Sequence, residues 1–316
     1  MKIVILDKIA MGEDTPFHLL DSLGEVVTYD TTLPHEVSDH INGAEVIVLN
    51  KVKITKSVID NAKALKLICV FATGYDNIDV EAAKSAGVAV CNVPGYSTDS
   101  VAMFTVATVL SLAAHLREYT DYVRCGKYSE SSSANKITPV FHELRGKTWG
   151  IVGCGNIGEA VLKVAEAFGA RVIVNKRTPS DRYECVDIDT LCRESDIITL
   201  HCPLNDNTRE LINRERISLM KNSVILVNEA RGAVVNEKDV ANAIKEGRIS
   251  AFGCDVYSAE PFANTHPYYE IKDMDNVILT PHAAWGAYEA RKRCMEIIRN
   301  NITSFANGET LNRVDI

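Results

Sequence analysis

Thr148-Trp149-Gly150-Ile151-Val152-Gly153-Cys154-Gly155-Asn156-Ile157-Gly158 is the stretch whose reading decides the fold. A short apolar run leads into G-x-G-x-x-G at Gly153, Gly155 and Gly158. A helical pattern follows over 159–169, and then a second apolar run, Arg171-Val172-Ile173-Val174. Strand, glycine turn, helix, strand is the setting in which this motif binds a dinucleotide. Gly153 permits the tight turn, Gly155 lets the backbone approach a pyrophosphate, and Gly158 lets helix and strand pack closely. The helix N-terminus, with Asn156 and Ile157 in its first turn, adds unpaired N–H groups and the positive end of a dipole.

Strand and helix signals alternate on both sides of this stretch. Towards the N-terminus, residues 3–6, 26–29, 46–49, 67–71 and 88–91 read as strands, and 17–23, 55–62 and 80–86 as helices. The strands are continuously apolar rather than alternating, which predicts an α/β fold with parallel sheets buried on both faces. One long helix is expected from residue 97 to about 118, carrying Val101, Ala102, Phe104, Thr105, Val109, Leu112 and Leu116 as a bridge between two domains. Residues 119–142 are polar and irregular and read as an extended arm. An arm of that length is functional or packed on a partner, and it reads as helping to form a homodimer, the alternative being a plain surface loop. Beyond the glycine motif, strands at 196–200, 223–227, 250–256 and 276–279 alternate with helices at 187–194, 214–220 and 236–246. No apolar strand follows residue 280, so the last helix, 286–306, has no sheet partner of its own. It is expected to pack on the N-terminal domain, dividing the chain into 1–98 with 286–316, and 99–285.

Composition narrows the function. The 316 residues suffice for two domains, and 46% hydrophobic with 24% charged is a soluble globular balance. A net charge of -8 and a pI near 5.6 give no basic surface for nucleic acid or anionic membrane. No apolar run approaches the ~20 residues of a membrane span, and Met1-Lys2-Ile3-Val4-Ile5-Leu6-Asp7 reads as a strand, not a signal peptide. The nine cysteines include no C-x-x-C and sit largely in apolar runs. They read as small buried hydrophobes of a reducing cytoplasm, with no disulfide and no metal site.

Ligands on open α/β sheets bind beyond the carboxyl ends of the strands. In the second half those positions hold Gly153 to Gly158, Asn175-Lys176-Arg177, His201-Cys202-Pro203, Asn228-Glu229-Ala230-Arg231-Gly232, Asp255 and Thr280-Pro281-His282. Arg231, the segment 255–260 ending in Glu260, and His282 come from different strands and converge on one edge. Arginine offers a planar fork for a carboxylate or carbonyl oxygen. Histidine exchanges a proton near neutral pH, and a carboxylate beside it favours the imidazolium and fixes the tautomer. The set suits redox chemistry at a carbinol next to a carboxylate.

Over essentially its whole length the chain resembles the D-isomer-specific 2-hydroxyacid dehydrogenases, most of all the glycerate dehydrogenase/hydroxypyruvate reductase branch. The matching segments are Ala72-Thr73-Gly74-Tyr75-Asp76-Asn77-Ile78-Asp79, Cys91-Asn92-Val93-Pro94-Gly95-Tyr96-Ser97, Gly153 to Gly158, Asn228 to Val235, Gly253 to Pro261, and Thr280-Pro281-His282-Ala283-Ala284-Trp285. The resemblance implies two Rossmann-like domains, the discontinuous one being the substrate domain. It implies that Arg231 binds the substrate carboxylate and carbonyl, that His282 is the acid/base, and that Glu260 orients and charges His282. Ala72, Thr73 and Gly74 are expected to hold the substrate carboxylate through backbone N–H groups. Besides the glycine motif, Thr105, Asn175, Lys176, Arg177, Cys202, Pro203, Thr208, Ala230 and Asp255 are the expected cofactor contacts. His201 reads as framing rather than catalytic.

The dinucleotide is NADP or NAD, with NADP(H) favoured; the alternative is that Lys176 and Arg177 are solvated and NAD binds through its other contacts. An NAD site places an acid at the end of the second strand, on the ribose 2′-OH; here Asn175-Lys176-Arg177 stands there, two cations suited to a 2′-phosphate. The expected reaction is hydride transfer between NAD(P)H and a small 2-oxo acid of the hydroxypyruvate or glyoxylate kind. Phosphite and formate dehydrogenases share the scaffold, but the former carry lysine where Thr73 stands and the latter glutamine in place of Glu260. A dinucleotide-sensing, non-enzymatic member of the superfamily would retain the triad, and turnover on 2-oxo acids separates it from an enzyme.

Overall fold

The computed structural model describes residues 1–316, which divide into two compact units, 1–97 with 286–316, and 98–285. In the first unit β1 (Lys2–Ile5), β2 (Glu25–Thr28), α1 (Val37–His40), β3 (Val46–Leu49), α2 (Lys56–Asn61), β4 (Leu67–Val70), α3 (Val80–Ser85) and β5 (Ala89–Cys91) follow in turn. The sheet runs β2-β1-β3-β4-β5 and is parallel throughout. Every residue of β3 and β4 is buried, whereas β2, at the edge, is only half-buried. That is why the inner strands read as unbroken apolar runs.

Two sets of hydrogen bonds close off parts of this unit. Asp7, just beyond β1, accepts from the backbone N–H of Asn50 at 2.9 Å and of Lys51 at 2.6 Å, just beyond β3. This bridges the point where the strand order reverses. At the other edge, residues 307–316 return along β5: Val90 donates to the Asp315 carboxylate at 2.9 Å and Val314 to the Val90 carbonyl. The covered edge offers no unpaired ladder to another chain. The C-terminal helix Tyr288–Ala306 packs on this unit through Arg291, which pairs with Asp14, and Asn301, whose amide donates to the Asn92 carbonyl.

The second unit contains α4 (Thr98–Ala113), α5 (Leu116–Arg124), α6 (Lys127–Glu130), β6 (Thr148–Val152), α7 (Asn156–Ala167), β7 (Arg171–Asn175), α8 (Ile188–Glu194), β8 (Ile197–Leu200), α9 (Arg214–Leu219), β9 (Ile225–Asn228), α10 (Glu237–Lys245), β10 (Ala251–Cys254) and β11 (Val277–Leu279). Its parallel sheet runs β11-β10-β9-β8-β6-β7, so the order reverses beside β6, the strand that feeds the glycine motif. Helices α8, α9 and α10 start on side-chain caps, Asp187, Asn213 and Asn236, each accepting from an N–H three residues on.

The single long helix expected over 97–118 is broken. His115 adopts a left-handed conformation at φ 50°, and α5 leaves α4 at 66°. The physical reason lies in what each half can bury. Helix α4 sinks Val101, Ala102, Val109 and Leu112 into the unit, whereas α5 buries nothing. Turning lets Arg117 reach the carbonyls of Met274 and Val277 beside edge strand β11, each at 3.5 Å. The arm expected over 119–142 is therefore helical in its first part, and it becomes extended only after Glu130.

Candidate active site

Strand β9 ends at the fully buried Asn228, whose side chain closes the next turn. Its amide nitrogen donates to the Arg231 carbonyl at 3.0 Å, and its oxygen accepts from the Ala230 N–H at 3.1 Å. The turn delivers Arg231, and Gly232 comes next because nothing larger fits. A Cβ there would lie 2.1 Å from the Tyr257 carbonyl carbon and 2.2 Å from the Ser258 nitrogen. The loop after β10 thus passes directly over the loop after β9.

Asp255, 1% exposed, sits just past β10 and fixes the loop after β11. Its carboxylate accepts from Thr280 Oγ1 at 2.6 Å, from the Ala283 N–H at 2.8 Å and from the Ala284 N–H at 2.9 Å. Between these anchors His282 sits at φ 54°, a left-handed conformation held by its surroundings. Its Nδ1 lies 2.8 Å from Glu260 Oε2, both side chains one quarter exposed. The other carboxylate oxygen of Glu260 accepts from the Tyr257 N–H at 3.1 Å. The Tyr257 hydroxyl donates to the Thr280 carbonyl at 2.8 Å, and burial pushes this phenol up, so it stays a donor. Tyr257 therefore ties the Glu260 loop to the His282 loop. With Nδ1 on the carboxylate, Nε2 is the ring nitrogen for proton exchange with a substrate.

The glycine turn fits a dinucleotide. Gly153 lies at φ 87°, and a Cβ there would meet the Cys202 nitrogen at 2.6 Å. At Gly155 a Cβ would meet nothing within 4 Å, which is the open cradle a pyrophosphate needs. No side chain caps the start of α7, so its first N–H groups face that space. Beyond β7, Lys176 Nζ lies 5.5 Å from the Tyr183 ring and Arg182 5.3 Å from the same ring. Arg182 is paired with Glu159 at 2.7 Å. The Asn175 side chain is engaged with the Val186 carbonyl at 3.0 Å, and Arg177 is exposed.

The model of the D-isomer specific 2-hydroxyacid dehydrogenase NAD binding domain matches residues 106–284, more than half of the chain. A hydroxypyruvate reductase of Blautia hydrogenotrophica is 36% identical over 324 residues, covering 100% of both chains. The chain belongs to this family. Among solved structures, a D-lactate dehydrogenase from Aquifex aeolicus complexed with NAD and lactic acid superposes with a TM-score of 0.87, at 30% identity over 100% of this chain and 99% of that one. An acyclic imino acid reductase in complex with NADPH and D-arginine gives 0.88, at 29% identity over 99% and 100%. As a D-2-hydroxyacid dehydrogenase the chain is an oxidoreductase acting on CH–OH groups, using a nicotinamide dinucleotide.

Within this dehydrogenase the expected residues fall into three groups. Glu260 and His282 touch, and Arg231 stands at the next strand end. Gly153, Gly155, Asn156, Ile157 and Gly158 form the turn and first helical residues, with Cys202 beside Gly153, Pro203 next along the chain, and Ala230 inside the Arg231 turn. Thr105 is fully buried, and its hydroxyl donates to the Val101 carbonyl one turn back. The residue faces the core side of α4. The Thr208 hydroxyl closes its own loop, donating to the Pro203 carbonyl at 2.6 Å and accepting from the Asn205 N–H at 2.8 Å. Asp255 spends three acceptor positions on the His282 loop. In the first unit, the Thr73 hydroxyl donates to the Val93 carbonyl at 2.9 Å, while the N–H groups of Thr73 and Gly74 donate to no protein acceptor.

Asn228 and Tyr257 carry roles that residue type and position did not suggest. An amide at the end of an otherwise apolar strand was the available signal for the first. For the second nothing in the sequence shows that its hydroxyl would reach a loop 23 residues away. The His201 ring, also near the glycine turn, has both nitrogens buried without a partner, and burial pushes it down to about 3. The ring is uncharged at neutral pH.

Proposed function

We propose that this dehydrogenase reduces hydroxypyruvate or glyoxylate to the D-2-hydroxy acid, with NADPH as the preferred donor. The observation that carries the reading is the 2.8 Å contact between Glu260 Oε2 and His282 Nδ1, beside the Arg231 turn. When bound, the nicotinamide supplies the hydride that the carbonyl carbon accepts. His282 Nε2 delivers the proton to the carbonyl oxygen while Glu260 balances the charge of the ring. The Arg231 fork pairs with the substrate carboxylate and stabilises negative charge developing on that oxygen. Asn175, Lys176 and Arg177 support NADPH, since no carboxylate stands at the end of β7 to repel a 2′-phosphate. The similarity to a hydroxypyruvate reductase supports the substrate class.

We also propose a homodimer built on the arm after α5. Ile137, Val140 and Phe141, 78%, 67% and 53% exposed, give that arm an apolar surface consistent with a second copy of the chain.

One assay tests the enzymatic reading. NADPH and NADH oxidation is followed with hydroxypyruvate, glyoxylate, pyruvate and phenylpyruvate, for the parent and for His282→Ala. Hydroxypyruvate or glyoxylate should turn over best, with the lower KM for NADPH. His282→Ala should lose ~10²–10⁴-fold in kcat, the worth of a positioned acid/base. Turnover of none of the four acids ends the enzymatic reading, and a lower KM for NADH ends the NADPH preference.

A further inference from the structure

A second histidine–carboxylate pair lies behind the first. Glu237, the first residue of α10, accepts three hydrogen bonds: from the Ser258 N–H at 2.8 Å, from the Ser258 hydroxyl, and from His266 Nε2 at 2.9 Å. The side chains of Glu237 and His266 are 10% and 8% exposed. The ring's tautomer is set by its other nitrogen. His266 Nδ1 accepts from the Tyr268 N–H at 3.2 Å, so the proton sits on Nε2 and is given to Glu237. A carboxylate in the first turn of a helix is also favoured by the N–H groups and dipole there.

The partners of this pair flank the Glu260 loop. Ser258 lies two residues before Glu260, and its backbone N–H is satisfied by the Glu237 carboxylate rather than by another backbone group. Phe262 lies two residues after it and stacks on the His266 ring, 4.9 Å between centroids and 30° between planes. What holds residues 258 and 262 sets where residue 260 points.

We propose that the Glu237–His266 pair is a positioning device for the reaction: by gripping Ser258 and Phe262 it fixes the Glu260 carboxylate against His282. Neither residue touches the reacting atoms; both act through the loop. The inference rests on the reading of Glu260 and His282 as the proton-handling pair. Glu237→Gln leaves one accepting oxygen for three donors and turns an N–H₂ group towards the rest, which must push Ser258 away.

The test uses the full-length protein with hydroxypyruvate and NADPH, together with proton and nitrogen NMR of ¹⁵N-histidine-labelled protein. The His282 ring signals are identified by their absence in His282→Asn. Glu237→Gln should lower kcat by ~10–10²-fold, the scale of a catalytic group misplaced by about 1 Å. Its dissociation constant for NADPH, read from tryptophan fluorescence, should stay within about two-fold of the parent. The downfield His282 Nδ1–H signal should weaken or vanish. His266→Gln, which keeps an N–H near the Nε2 position, should retain more activity than His266→Ala. If circular dichroism shows that Glu237→Gln does not fold, Ser258→Ala decides, since it removes only one donor and should lower kcat and weaken the same signal. An unchanged kcat together with an unchanged His282 signal overturns the proposal. Should the parent turn over no 2-oxo acid, the enzymatic reading fails on that count alone, and the NMR comparison still decides whether Glu237 holds Glu260 on His282.

Discussion

Glu229 carries a carboxyl group that the fold keeps protonated at neutral pH. It is 8% exposed, and burial, with the negative charge of Asp255 adding to it, pushes it up from 4.5 to about 9. In the unfolded chain the same group releases its proton near 4.5. Between those values the unfolded chain binds fewer protons than the folded one, so stability falls as pH rises through that window and levels off above it. Glutamine has the shape and the donor capacity of a protonated glutamate but does not titrate. Glu229→Gln should therefore gain on the parent as pH rises: the difference between their urea midpoints should be larger at pH 8 than at pH 5. An equal difference at both values would falsify the protonated assignment. At this scale the sequence was legible in placing Arg231, Glu260 and His282 beyond neighbouring strand ends, with Glu260 and His282 in contact. It was not legible where burial depends on which face of a helix meets the core. Thr105 sits close to solvent-facing Met103 on the same helix, and only packing shows that it points inward.

At the scale of elements, two loops crossing at van der Waals distance hold the candidate site together. Gly232 is the crossing point, with no room for a Cβ beneath Tyr257 and Ser258. The atoms it would strike are backbone, so a methyl there cannot be absorbed by a side chain swinging aside. Gly232→Ala should displace the Tyr257–Glu260 segment and lower kcat/KM by ~10²-fold, with the NADPH dissociation constant within about two-fold of the parent. Retention of full kcat/KM would show that the crossing has slack the geometry does not contain. The strands were readable because parallel strands buried on both faces leave unbroken apolar runs. The break at His115 was not, since neither glycine nor proline marks it. It arises because α4 has a core to enter and α5 has none.

At the scale of the whole molecule, the apolar residues of the arm give the homodimer a measurable consequence. Sedimentation equilibrium at micromolar concentration should give twice the 34.7 kDa of one chain. Ile137→Glu with Phe141→Glu should shift the mass towards one chain, by placing charge where apolar contact is proposed. A parent protein that sediments as a monomer ends the proposal. Neither the arm's course nor its exposure was readable beyond its polarity and length, because nothing local dictates where a segment without periodicity runs.

Both units are built on parallel sheets, and each has a point where its strand order reverses and a crevice opens. In one, the backbone N–H groups around Gly155 face open space. In the other, Asp7 reaches across and takes the N–H groups of Asn50 and Lys51 for itself. The chain is its own permanent tenant there, a built-in mimic of the anion that such a crevice would otherwise admit. A single side chain thus makes two like architectures unequal: one sheet keeps its crevice for a visitor, and the other has been let from within.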